Sequence, residues 1–200
     1  LMQVLAAGYF VLPYTIQNYL ADQITVPRFS TELPEFAEAE KAVQARIDHL
    51  MGIKGKKSVD SIHKELGHIM WEYVGMGRTE EGLKTALKLL KDIRKEFETN
   101  LFIPGSTEGV NIELEKALRL NDFITMGELI AYDALNRNES CGGHFREEYQ
   151  TEEGEAKRDD ENYFYVSCWE YQGSDDVAPV LYKEPLVYEA IKVQTRNYKS

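Results

Sequence analysis

Apolar residues recur close to helical spacing at Leu1, Leu5, Tyr9, Leu12, Ile16 and Tyr19, which predicts a first helix with Pro13 as its kink. Its apolar positions occupy more than one face, a pattern that calls for burial against a further element. Gln3, Pro13, Gln17 and Asn18 interrupt it, so it lacks the run of about 20 apolar residues that a membrane span requires. A second helix is predicted over 34–51, started by Thr31 and Pro34, striped by Phe36, Ala39, Val43, Ile47 and Leu50, and ended by Gly52. Ser58 can cap a third helix carrying Ile62, Leu66, Ile69, Met70 and Tyr73, with Gly75 and Gly77 at its end. Thr79 followed by Glu80 and Glu81 opens a fourth, whose stripe is Leu83, Leu87, Leu90, Ile93 and Phe97. Residues 100–111, with Pro104 and Gly105, read as a loop, and 112–135 as a fifth, broadly apolar helix.

After Asn138 the helical period stops. Three stretches rich in aromatic and β-branched residues, 163–169, 180–182 and 186–193, read as two or three short strands. The fold class is therefore mainly α: an up-and-down, three-helix, spectrin-repeat-like bundle with an N-terminal helix and a C-terminal tail of short β-strands. The expected divisions are 1–23, 24–137 and 138–200.

Charge adds one feature. The chain has 34 acidic and 23 basic residues for a net charge of −11, so its overall field opposes nucleic acid and anionic membrane surfaces as partners. Residues 138–176 hold twelve acids against Arg146, Lys157 and Arg158, which predicts a solvated acidic loop. Cys141 and Cys168 form no Cys-x-x-Cys pair, and no secretory signal is seen, so a reduced, cytoplasmic protein is expected. An apolar start without an initiator methionine suggests a piece of something longer.

Most candidate chemistry has a plainer reading. His63 and His68 lie five apart, about 140° around a helix, rather than the four of a shared metal site. Gly75-Met76-Gly77 follows a helix rather than a strand and has no third glycine, so it is a helix stop rather than a dinucleotide loop. Residues 137–149 differ in kind, with two arginines, a histidine, a serine and paired glycines between a buried helix and an acidic loop. Gly142 and Gly143 let backbone approach another surface, and Arg146 can fork onto a carboxylate or carbonyl. The segment is either an ordered docking loop or a Schellman-type helix terminus. His144 reads as a proton-transfer group or as a packed, hydrogen-bonded histidine.

This segment carries a resemblance. Glu139-Ser140-Cys141-Gly142-Gly143-His144-Phe145-Arg146-Glu147-Glu148-Tyr149, then Arg158-Asp159-Asp160 and Trp169, is similar to the Glu-Ser-Arg-Gly-Ala-His-x-Arg-Glu-Asp-Tyr…Arg-Asp-Asp…Trp signature near the C-terminus of succinate dehydrogenase and fumarate reductase flavoproteins. L-aspartate oxidase shares a looser form and is the narrower alternative; a stand-alone helical interaction module is the broader one. Cys141 stands where the signature has arginine, Gly142-Gly143 where it has Gly-Ala, and 151–157 lengthens the acidic loop. The resemblance implies an FAD-dependent oxidoreductase that interconverts succinate and fumarate, with its catalytic residues and its flavin fold in residues that precede this chain.

It further implies that the chain alone is inactive and holds no cofactor, with one flavin contact, at the backbone amide of Leu1, in the presence of the upstream domain. Glu139, Ser140, Gly142, Gly143, His144, Arg146, Arg158 and Asp159 are the expected domain-interface residues. The implied partners are the flavin domain, an iron–sulfur subunit and a membrane cytochrome subunit, which would hold the protein at the membrane periphery. Without the flavin domain, the helix over 1–20 is expected either to be mobile or to drive self-association.

Overall fold

In the computed structural model, residues 2–174 and 177–194 are described, so the flavin contact expected at Leu1 lies outside the described residues. The chain divides into two compact units, Leu1–Arg46 and Ile47–Ser200. The first begins with a helical segment that changes pitch along its length: α1 (Met2–Ala6), a π-helical segment (Ala7–Val11), α2 (Leu12–Tyr14) and a second π-helical segment (Thr15–Tyr19). Pro13 has no N–H to donate and its ring crowds the preceding turn. The expected single kink thus takes the form of two widened segments flanking the proline. None of the described side chains in these segments is buried. Among the described residues no helix is long and apolar enough to cross a membrane.

Helix α3 (Pro34–Gly52) runs over the boundary between the units, and its last turn places Leu50 in the core of the second. That core belongs to α4 (Val59–Val74), α5 (Glu80–Asn100) and α6 (Ile112–Asn136). Each starts at an expected kind of cap: Ser58 accepts from the Ser61 N–H, Thr79 from Gly82 and Asn111 from Leu114, at 3.2, 3.0 and 3.1 Å. Leu83, Ala86, Leu90, Ile93 and Phe97 form a continuous buried stripe on α5, which packs against both α4 and α6. The short connection from α4 to α5 makes them antiparallel neighbours, as expected of an up-and-down bundle.

Two small sheets flank the bundle. Within the stretch expected to be plain loop, β2 (Leu101–Phe102) pairs in parallel with β1 (Lys57–Ser58). Here the Gly55 N–H donates to the Leu101 carbonyl at 2.8 Å, and a Cβ on Gly55 would fall 2.0 Å from the Asn100 backbone. A two-residue pairing carries no periodicity, so it could not be read from the sequence.

In the tail, a single turn, α7 (Asp160–Tyr163), is capped by Asp159 and leads into β3 (Tyr165–Glu170), antiparallel to β4 (Val180–Pro185). Both strands begin in expected stretches, and each runs past its end, β3 to Glu170 and β4 to Pro185. The third stretch, 186–193, forms no strand: the register ends with Tyr165 opposite Pro185, and after one bond from the Leu186 N–H to Phe164 the residues opposite are the turn of α7. The hairpin rests on α6 through Trp169, whose indole N–H donates to the Asp133 carboxylate at 2.7 Å and whose ring meets Tyr132 edge-on at 4.9 Å.

Candidate functional site

The segment singled out in the sequence lies where α4 and α6 both end. Helix α6 stops without a left-handed residue: Arg137 is extended (φ −95°, ψ 98°), which rules out the Schellman terminus and leaves the ordered loop. The loop doubles back at Gly142-Gly143, where Cys141 and His144 exchange backbone hydrogen bonds of 2.8 and 3.0 Å. Gly142 has φ +60°, a conformation in which a side chain is strained. The chain then runs beside the end of α4, with the Arg78 N–H donating to the Phe145 carbonyl at 3.0 Å and the Glu147 N–H to the Arg78 carbonyl at 2.8 Å.

Arginines satisfy the two helix ends. A helix C-terminus presents unbonded carbonyls and the negative end of its dipole, which suits a cation. Arg78 Nε donates to the Val74 and Gly75 carbonyls at 3.1 and 3.2 Å. Arg146, with no exposed surface, donates from Nη1 to the Ala134 and Leu135 carbonyls at 3.1 and 3.4 Å and from Nε to Glu148 at 3.1 Å. Its guanidinium lies 5.4 Å from the Tyr149 ring centre. Arg146 Nη2 is buried with no hydrogen-bond partner among the described residues. The buried Ser140 hydroxyl closes the loop by accepting from the Arg146 N–H at 2.8 Å and donating to its carbonyl at 3.1 Å.

A third arginine ties this loop to the β tail. Arg137 donates to Glu139 at 2.7 Å and to the Tyr163 carbonyl at 2.7 Å, and lies 5.7 and 5.4 Å from the ring centres of Tyr163 and Tyr165. The other oxygen of Glu139, a buried carboxylate, accepts from the Asp159 N–H at 3.0 Å. Arg158 pairs with Asp160.

His144 joins the ends of both helices. Its Nδ1 is 2.9 Å from Arg78 Nη1 and its Nε2 is 3.0 Å from the Arg137 carbonyl. A guanidinium only donates and a carbonyl only accepts, so Nδ1 accepts, Nε2 carries the proton and the ring is neutral. Burial holds its pKa below the usual histidine value; the Arg137 carbonyl acts in the opposite direction, and the charges of Arg78, Arg146 and Arg137 lower it further. With both nitrogens occupied, His144 fits the packed histidine rather than a group that shuttles protons.

The interface residues expected from sequence therefore divide by position. Glu139, Ser140 and Arg146 are buried, His144, Arg158 and Asp159 are half-buried, and only Gly142 and Gly143 are exposed, with nothing among the described residues within 4 Å of where their Cβ atoms would lie. Arg78 was missed, because between Gly77 and Thr79 it reads as part of the punctuation between two helices. Tyr163 and Tyr165 were read only as strand formers. Gly75-Met76-Gly77 closes α4, and a Cβ on Gly75 would meet the Trp71 carbonyl oxygen at 2.5 Å, so no strand-to-helix phosphate turn is built there. No group of three or more metal-ligating side chains occurs among the described residues.

Comparison with known proteins adds the following. Residues 63–198 match the family described as fumarate reductase flavoprotein C-term. An uncharacterized FAD-dependent oxidoreductase of Methanocaldococcus jannaschii is 31% identical over 112 residues, covering 56% of this chain and 20% of that protein. The fumarate reductase flavoprotein subunit of Proteus vulgaris is 29% identical over 148 residues, covering 72% of this chain and 24% of that one. This chain thus spans a quarter or less of the length of these relatives. A solved quinol-fumarate reductase shares the fold, with a TM-score of 0.69 at 22% identity over 84% of this chain and 28% of that chain.

Proposed function

The chain belongs to the fumarate reductase flavoprotein C-terminal family, and from that premise we propose that it is the part of a succinate- or fumarate-converting flavoprotein that packs against the FAD domain and presents the subunit to its partners. The observation that supports this most directly is the loop at the joined ends of α4 and α6: three arginines and a neutral histidine hold it rigid, while the bare backbone of Gly142-Gly143 faces outward. A turn without side chains admits another backbone closely, and a scaffold that is already ordered lowers the entropy lost on docking.

In this reading FAD belongs to the full-length subunit, hydride moves between substrate carbon and flavin there, and this chain contributes no catalytic residue. Glu139, Ser140, His144, Arg146, Arg158 and Asp159 hold the docking turn, and Gly142 and Gly143 make the contact. An iron–sulfur subunit and a membrane cytochrome subunit are the further partners, which would keep the protein peripheral to the membrane in the cytoplasm. The 200-residue chain, purified alone, is expected to be folded, colourless and without fumarate reductase activity. Stoichiometric flavin absorbance in that preparation would overturn the proposal. In the full-length subunit, Gly143→Trp is expected to lower FAD retention and activity together while the helical content is unchanged. Exposed Tyr9, Phe10 and Ile16 are expected to make the isolated chain self-associate, visible as a concentration-dependent mass in sedimentation.

A further inference from the structure

Beside the loop, a cavity of about 500 Å³ opens between the end of α6, β3 and Arg78. Its size is that of a small-molecule site, and its wall combines apolar and aromatic surface from Ile130, Tyr165 and Trp169 with a few charged groups. The charges are unequally matched. Arg137 is paired with Glu139, and Asp133 receives the indole N–H of Trp169. Arg78 is half-buried and its hydrogen bonds go to two backbone carbonyls and an imidazole, with no carboxylate among its partners in the described residues. Its Nη2 has no partner among the described residues, so guanidinium N–H groups remain for an acceptor in the cavity. Burial desolvates Arg78, and Asp133 in the same wall acts on it through space as a partial counter-charge, so an anion that accepts from the remaining N–H groups would form charge-assisted hydrogen bonds.

We infer that this cavity is a binding site for a small monocarboxylate with an apolar or aromatic body, its carboxylate on Arg78 and its body against Trp169, Tyr165 and Ile130. Asp133 in the same wall opposes a second negative charge, which selects a monoanion over phosphate or a dianion. His144 is a positioning residue here, because its Nδ1 fixes the guanidinium plane.

The test is a titration of the full chain with sodium benzoate, followed by the Trp169 indole and Arg78 Nε–H signals in ¹H–¹⁵N NMR, with inorganic phosphate as a second probe. Saturable shifts at both groups are expected, with weaker binding of phosphate. Arg78→Gln should weaken benzoate by roughly tenfold or more, the loss of a charged partner. Ile130→Trp, which fills the cavity and leaves Arg78 in place, should also abolish the shifts, and this variant decides the matter should Arg78→Gln fail to fold. Absence of saturation with the wild-type chain, wild-type affinity in the folded variants, or tighter binding of phosphate than benzoate would each overturn the assignment.

Discussion

Arg146 has no exposed surface, yet its charge is balanced on three sides by helix-end carbonyls, Glu148 and the face of Tyr149. Removing the guanidinium leaves these acceptors unpaired. Glu148 reaches solvent, so Arg146→Met is expected to cost about 2–4 kcal/mol, somewhat less than a fully buried pair, measured as a lower urea midpoint. Ser140→Ala removes one hydroxyl that serves both the N–H and the carbonyl of Arg146, and about 1–3 kcal/mol is expected for the buried groups left unsatisfied. His144 contributes a pH dependence of known sign. Its folded-state pKa lies below the unfolded value, so the unfolded chain binds the extra proton between the two. The contribution is full above the unfolded histidine pKa and is lost as pH falls from there toward the depressed folded value. Urea midpoints measured from neutral to mildly acid pH should fall with acidification, and His144→Gln should flatten that part of the profile.

The helices carry their own boundaries. Ser58, Thr79 and Asn111 each sit one residue before a helix begins, and each accepts a hydrogen bond from the first turn of its helix. Thr79→Ala should therefore cost about 1 kcal/mol without altering the loop contacts of Arg78, whose bonds are backbone and guanidinium in origin. The β1–β2 pairing is a different kind of element. It depends on Gly55 lying against the Asn100 backbone, so Gly55→Ala should break the pairing and speed amide exchange at Lys56, while α5 retains its protection. Nothing local encodes this contact, since Gly55 and Asn100 meet only because α4 and α5 lie side by side. The strand over 180–185 was legible from Val180, Leu181 and Tyr182. The failed strand over 186–193 has the same composition but no partner, because a strand's pairing is decided by what lies opposite.

In the unit Ile47–Ser200, three helices share one core, and the hairpin is fastened to it chiefly at Trp169 and Tyr165. Trp169→Phe keeps the ring and removes the bond to Asp133, so hydrogen exchange in β3 and β4 should rise while the buried stripe of α5 stays protected. The sequence by itself determined the helix periods, their caps, the broad fold class and the motif of 139–149, because these rest on local propensity and on spacing along one chain. It also carried the family, whose signature lies in short runs along one stretch of chain, 139–149, 158–160 and Trp169. Only the tertiary structure decided that Arg78 joins this loop, that His144 is neutral with both nitrogens engaged, and that Glu139 is a buried clamp rather than part of a solvated acidic run. The physical reason is common to all three: a charge or a tautomer is set by the partners that surround it, and here the partners of His144 and Arg78 come from two helix ends that the sequence separates by some sixty residues.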